Sequence, residues 1–214
     1  MVFESTPPEI SIPQSLSSTR PLIVGPPSPS LPYPIRLQGP VMRGFGRGGK
    51  DLGCPTANLP DDAVDGMLLD GVKNSKNSTD RVPEGKDGVG TGVYYGYARV
   101  YPPESAGSEA EASRFKEEDK VVLPMVMSLG WNPFYKNERL TAEIHILHSF
   151  ASDFYGYQMK ALVLGYIRPE LDYTTREGLI QDINTDKRVA LNCLDRPGYS
   201  VFAGDEFFDS IPTA

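Results

Sequence analysis

Apolar and polar positions alternate in short runs along most of the chain, and the runs break at Gly, Pro and charged stretches. A period of two marks strands, and a period near 3.6 marks helices. The first alternation, Ile35 to Arg43, predicts a strand. A short extended piece follows around Pro55 to Leu59, kept out of helix by Pro55 and Pro60. Gly92 to Tyr101, rich in Val and Tyr, predicts a second full strand. Val121 to Ser128 predicts another, with Pro124 arguing for an edge or a bulge. Leu140 to His148 places Ala142, Ile144 and Ile146 on one face and Thr141, Glu143 and His145 on the other. Gln158 to Ile167 is the last strand. From Thr174 to Leu194 the period lengthens to that of a helix. Thr174 and Glu177 form a T-x-x-E capping box, and Leu179, Ile183, Val189, Ala190 and Cys193 form an apolar stripe. Strands in near-direct succession and then one helix predict a mainly β domain with an antiparallel sheet. Closing that sheet into a barrel removes its exposed edges. The strand-helix alternation of a doubly wound fold is absent.

Two polar stretches interrupt this pattern. Asp61 to Thr91 is rich in Gly, Asn, Asp and Lys, with a short ordered piece expected at Ala63 to Leu69. Pro102 to Lys120 is acidic and rich in Glu, Ser and Ala. Both read as solvated surface insertions without catalytic duty. Residues 1–31 are Pro- and Ser-rich and read as an extended or disordered tail, which leaves one domain over 32–214.

Charge narrows the function classes. The chain carries a formal net charge of −7 and no cluster of Lys and Arg, so it lacks the footprint of a nucleic-acid binder. An acidic chain that takes a polyanion needs a local positive patch or a metal ion. The two cysteines, Cys54 and Cys193, have no CxxC spacing and read as reduced thiols. No apolar run approaches the roughly 20 residues of a membrane span. A cytoplasmic location is expected, and peripheral association with an organelle stays open.

The segment Gly44-Phe45-Gly46-Arg47-Gly48-Gly49-Lys50-Asp51 matches G-x-G-x-x-G and also most of a P-loop. Both motifs need a helix immediately after the glycines, because its N-terminus binds the phosphate. Here Leu52-Gly53-Cys54-Pro55 follows, and Gly53 and Pro55 oppose a helix. Asp51 also stands where a P-loop needs Ser or Thr. Both readings are therefore rejected. A phosphate cradle built from backbone N–H groups with Arg47 and Lys50 remains one possibility, and a tight hairpin with two exposed basic residues the other.

The run from Arg43 to Leu59, with Gly53-Cys54-Pro55-Thr56-Ala57-Asn58 at its core, resembles the G-x-P-T-A-N signature of riboflavin kinases. Further matching pieces follow in that family's order: Thr91 to Gly96, Ser128 to Asn137, Glu143 to His148, Asp153 to Gly156, and Gly165 to Glu170. The resemblance spans about Tyr33 to Phe208 and leaves out the tail and the two insertions. Those insertions look like the longer ones of fungal members. The resemblance implies a six-stranded antiparallel Greek-key barrel with a C-terminal α-helix. It also implies a monofunctional kinase that moves the γ-phosphate of ATP onto riboflavin to give FMN. A monomer with ATP and riboflavin as its small-molecule partners is expected.

Site roles come from the same resemblance. Thr56 and Asn58 fall at the family's metal positions, where oxygen ligands suit Mg²⁺, with Zn²⁺ or another divalent metal as alternatives. Taken alone, a Thr-x-Asn pair is ordinary turn chemistry. Glu143 falls at the catalytic glutamate, although a Glu on a strand face is usually just solvated. Gly44, Lys50, Thr56, Ile146, His148 and Tyr155 fall on the nucleotide side. Arg168 falls on the flavin side, Leu171 is assigned there too, and His145 is left as structural. Trp131 to Asn137 reads as a loop that closes over the site. The competing reading is a flavin-binding barrel without catalysis, against which Thr56, Asn58 and Glu143 together argue. A kinase for another small alcohol and an interaction scaffold are weaker alternatives.

Overall fold

The structure, a computed structural model, describes residues 20–43, 53–65, 90–103, 115–131 and 140–212. Six strands lie within them: β1 (Ile35–Pro40), β2 (Ala57–Asn58), β3 (Gly92–Tyr101), β4 (Leu123–Trp131), β5 (Leu140–Ile146) and β6 (Gln158–Arg168). All pairings are antiparallel, and the order across the sheet is β1-β6-β3-β4-β5-β2. Strands β3, β4 and β5 are sequential neighbours, and β6 returns to lie beside β3, which is the Greek-key order. The sheet curls into a half-barrel. Met42, just beyond β1, bridges to Asn58 of β2, and its N–H donates to the Asn58 carbonyl at 2.8 Å, which ties the two edges together.

Alternation sorts the sheet's side chains into two cores. Leu37, Tyr94, Met127, Ile144, Met159 and Val163 fill the inside of the curl. Val93, Tyr95, Leu162 and Leu164 point outward, against Val189, Ala190 and Cys193 of the long helix α2 (Arg176–Leu194). The middle strands β3 and β6 are thus buried on both faces, which explains their nearly continuous apolar sequence. Each such side chain contributes about 1.5–3 kcal/mol on burial. At Gly96 a Cβ would lie 1.9 Å from the Leu162 carbonyl oxygen, beside a register shift between Tyr95 and Gly96. The bare Cα lets β3 and β6 approach closely where the ladder kinks.

Several boundaries differ from the sequence expectation. Strand β1 stops at Pro40, short of the expected Arg43, although beyond it the Val41 N–H donates to the Tyr157 carbonyl and the Val41 carbonyl accepts from the Gly156 N–H, both at 2.8 Å. Strand β4 is an inner strand, not an edge. Pro124 is tolerated as its second residue, where the ladder to β5 begins only at Met125. The cap of α2 is Thr175, whose Oγ1 accepts from the Gly178 N–H at 3.1 Å. No box through Thr174 and Glu177 forms, because the third helical residue is then a glycine. The expected apolar stripe holds only in the second half of the helix. In the first half Leu179 and Ile183 are half-buried, while Asp182 and Asp186 are buried.

The segments around the sheet also depart from simple solvation. Residues 1–19 lie outside the described residues, but the remainder of the expected tail runs along α2. Asn192 donates to the Leu22 carbonyl, Arg196 to those of Val24 and Pro26, and Tyr199 to that of Pro26. Helix α1 (Asp62–Asp65) is the described part of the piece expected to reach Leu69, and the rest lies outside the described residues. The insertion Pro102 to Lys120 is not wholly solvated: Phe115 and Asp119 are buried, at 4% and 2% exposure. Phe115 packs on Phe150, Phe154 and Tyr157. A short helix, α3 (Pro197–Ser200), continues the chain beyond α2.

Candidate functional site

The register of the sheet lines up a row of residues across the outer face. Asn58 on β2 stands opposite Glu143 on β5, Glu143 opposite Ser128 on β4, Ser128 opposite Val93 on β3, and Val93 opposite Arg168 on β6. Directly opposed residues have Cβ atoms about 4.5–5.5 Å apart. Asn58 and Glu143 are therefore immediate neighbours. Followed along the curled sheet, Asn58 and Arg168 are four strand spacings apart.

The segment before β2 is fixed at two carbonyls. Gly53 adopts φ 67°, a conformation that favours glycine, and its carbonyl accepts from Lys187 Nζ of α2 at 3.1 Å. The Pro55 carbonyl lies 2.8 Å from His145 Nδ1. A carbonyl only accepts, so Nδ1 carries the hydrogen. Burial, opposed in part by the Pro55 bond, pushes the His145 pKa down, which favours the neutral imidazole. Thr56 is half-buried, while Asn58 Oδ1 is buried with no hydrogen-bond partner. A buried carbonyl oxygen without a donor is costly. It is also a hard ligand of the kind a Mg²⁺-class cation takes. Among the described residues no cluster of three His, Cys, Asp or Glu offers another metal site. Burial raises the pKa of the neighbouring Cys54 thiol, which disfavours the reactive thiolate.

A cleft of about 810 Å³ opens beside this segment. It is walled by Gly53 and residues 55–57, by the end of β5 with the turn 147–155, and by Lys187 and Leu191 of α2. Thr56, Ile146, His148 and Tyr155 all line it. Among the described residues that line it, Lys187 is the one Lys or Arg. The guanidinium of Arg43 lies 4.9 Å above the Tyr155 ring, which is 37% exposed. Gly44, Lys50 and the segment from Asn132 to Asn137 lie outside the described residues.

The far end of the row is built differently. The guanidinium of Arg168 is 7% exposed and is held by Asp186: Nε at 3.1 and 3.0 Å from the two oxygens, Nη2 at 2.8 Å. Its Nη1 donates to the Pro169 carbonyl. Arg20, from the strap along α2, also pairs with Asp186 and Asp182, and the Tyr173 hydroxyl donates to Asp182. Leu171 follows on the half-buried connection to α2. Between the ends, Glu170 accepts from Ser128 Oγ at 3.1 Å, and burial raises its pKa to about 6. Sequence reasoning did not find Lys187, Asp186 or Glu170. Charged residues on a helix or a turn look solvated until the fold supplies their partners.

The family model Flavokinase, described as riboflavin kinase, matches residues 31–194. A riboflavin kinase of Scheffersomyces stipitis is 42% identical, over 86% of this chain and 97% of that protein. A riboflavin kinase of Pyricularia oryzae is 43% identical, over 86% and 83%. The crystal structure of riboflavin kinase from Trypanosoma brucei superposes with a TM-score of 0.56 at 25% identity, covering 86% of this chain and 95% of that one. The Greek-key half-barrel, the ordered motifs and this coverage together place the chain in the riboflavin kinase family.

Proposed function

We infer that the chain transfers the γ-phosphate of ATP to the 5′-hydroxyl of riboflavin, giving FMN and ADP. The observation that carries the assignment of roles is the cross-strand pairing of Asn58 with Glu143, whose chain neighbours Ala57 and Ile144 line the nucleotide-sized cleft. Phosphoryl transfer asks the protein mainly to position two substrates and to balance charge.

Thr56 and Asn58 would hold a divalent cation, Mg²⁺ first and Zn²⁺ as the alternative. Bound there, it would offset the negative charge of the phosphates. Ile146, His148 and Tyr155 hold the nucleotide in the cleft. Lys187 adds positive charge there; from the preceding loop Lys50 would add more, and Gly44 would offer a backbone N–H to phosphate oxygens. Glu143 is one strand spacing from Asn58, so its carboxylate reaches the hydroxyl that attacks the γ-phosphorus. Glu143 orients that hydroxyl and takes its proton as the new O–P bond forms and the bond to the β-phosphate oxygen breaks. Arg168 is committed to Asp186, so on the flavin side it shapes the wall together with Leu171.

The test is a chromatographic assay with riboflavin, ATP and Mg²⁺. FMN should appear with the wild-type chain. Asn58→Ala should raise the metal concentration needed for half-maximal rate by tenfold or more. A barrel that retains riboflavin and forms no FMN would establish a carrier instead, and an unchanged metal titration would remove Asn58 from the metal site.

A further inference from the structure

Asp119 closes the acidic insertion, in a turn of 3-10 helix over Glu117–Asp119, yet it is 2% exposed. Its Oδ2 accepts from the Lys116 N–H at 2.7 Å, and its Oδ1 lies 2.7 Å from His148 Nε2. His148 lines the nucleotide cleft, and its ring stands edge-on to Phe150 with centroids 4.9 Å apart at 86°. Its backbone N–H is held by the Ile146 carbonyl at 2.8 Å. The imidazole is therefore gripped by a carboxylate at one nitrogen and by an aromatic edge on one side.

A carboxylate accepts hydrogen bonds and has none to give. In the neutral form of His148 the hydrogen therefore sits on Nε2, which leaves Nδ1 with a lone pair. His145, three residues away, is held the other way round, with its Nδ1 donating to Pro55. The only two histidines of the chain thus carry opposite tautomers. Which nitrogen carries the proton is set by the partner of the other nitrogen.

We propose that Asp119 is a positioning residue of the nucleotide site. It fixes the ring plane and the Nε2–H tautomer of His148, so that Nδ1 accepts an N–H or O–H of the bound nucleotide. The insertion that reads as inert surface thus reaches the site through its last turn. The proposal rests on the nucleotide reading of the cleft. One hydrogen bond to a ligand is worth about tenfold in affinity.

Asp119→Asn separates this role from general support. The amide can still accept from the Lys116 N–H, and its NH₂ then faces Nε2 and drives the proton to Nδ1. In ¹⁵N-histidine-labelled full-length protein, the two imidazoles should show opposite tautomers in the wild type. Asp119→Asn should convert His148 alone. KM for ATP should rise about tenfold, with kcat and KM for riboflavin within about twofold. In a His148→Ala background, Asp119→Asn should add nothing to KM for ATP. An Nδ1–H tautomer of His148 in the wild type would overturn the proposal, and this reading does not depend on how any variant folds. An undiminished effect of Asp119→Asn in the His148→Ala background would also overturn it. A wild-type chain that forms no FMN would instead overturn the functional reading, whatever the tautomers are.

Discussion

Replacing Asp186 with Ala removes the centre of a buried four-charge network. Arg20 and Arg168 supply two positive charges, Asp182 and Asp186 two negative ones, and all four side chains are at most 9% exposed. In the wild type the charges balance, and Asp186 accepts from both guanidinium groups. The variant leaves two guanidinium groups facing one carboxylate. Breaking a buried pair by removing one partner costs about 3–5 kcal/mol, most of it from the stranded charge. Guanidinium cannot lose its proton in this range, so the cost should be the same at pH 5 and pH 8. Arg20→Met makes the opposite error and strands a carboxylate, which can bind a proton. A carboxyl whose folded pKa is raised destabilises progressively as pH rises, so the Arg20→Met penalty should ease toward acid. Urea unfolding followed by far-UV circular dichroism at the two pH values measures both. A loss below about 1 kcal/mol for Asp186→Ala would mean that water reaches the network. A penalty for Arg20→Met that grows toward acid would refute the charge argument altogether.

Three further outcomes follow from the geometry. Glu143→Gln should keep ATP and riboflavin binding and lower kcat by about 10²-fold or more, and near wild-type turnover would take Glu143 out of the mechanism. Glu170, whose pKa burial raises to about 6 against the pull of Ser128 and Arg168, destabilises the fold as pH climbs through the range from 4.5 to 6. Glu170→Gln should therefore gain stability above pH 6, by at most about 2 kcal/mol, and gain nothing at pH 4; a pH-independent difference in urea midpoints would contradict the assignment. Gly96→Ala forces a Cβ to within 1.9 Å of a backbone oxygen between two inner strands, where no rotamer change can relieve it. A loss of about 3 kcal/mol is expected in thermal or urea unfolding, and a neutral result would mean the β3–β6 kink shifts freely.

The strands were legible because their signal is local. Alternation over Leu140 to His148 puts Ala142, Ile144 and Ile146 inside the curl, and that is where they lie. The first half of α2 was not legible, because what it buries is two aspartates. Their partner Arg20 is 162 and 166 residues away in sequence, where no window of periodicity sees it. The same distance problem hides Asp119 from His148. The Thr-x-Asn pair was visible only through the family's motif, since its local chemistry is that of a turn. What gives the pair a site is register: a strand of two residues, Ala57–Asn58, lies against β5 so that Asn58 faces Glu143. A slip of one residue would turn Asn58 inward and bring Ala57 opposite the glutamate. The bonds that prevent the slip come from outside the strand: Met42 to Asn58, His145 to Pro55 and Lys187 to Gly53. The chemistry of the motif therefore depends on three residues outside it, on β1's extension, β5 and α2. Loosening any of the three should disturb the Asn58–Glu143 pairing before it disturbs the barrel.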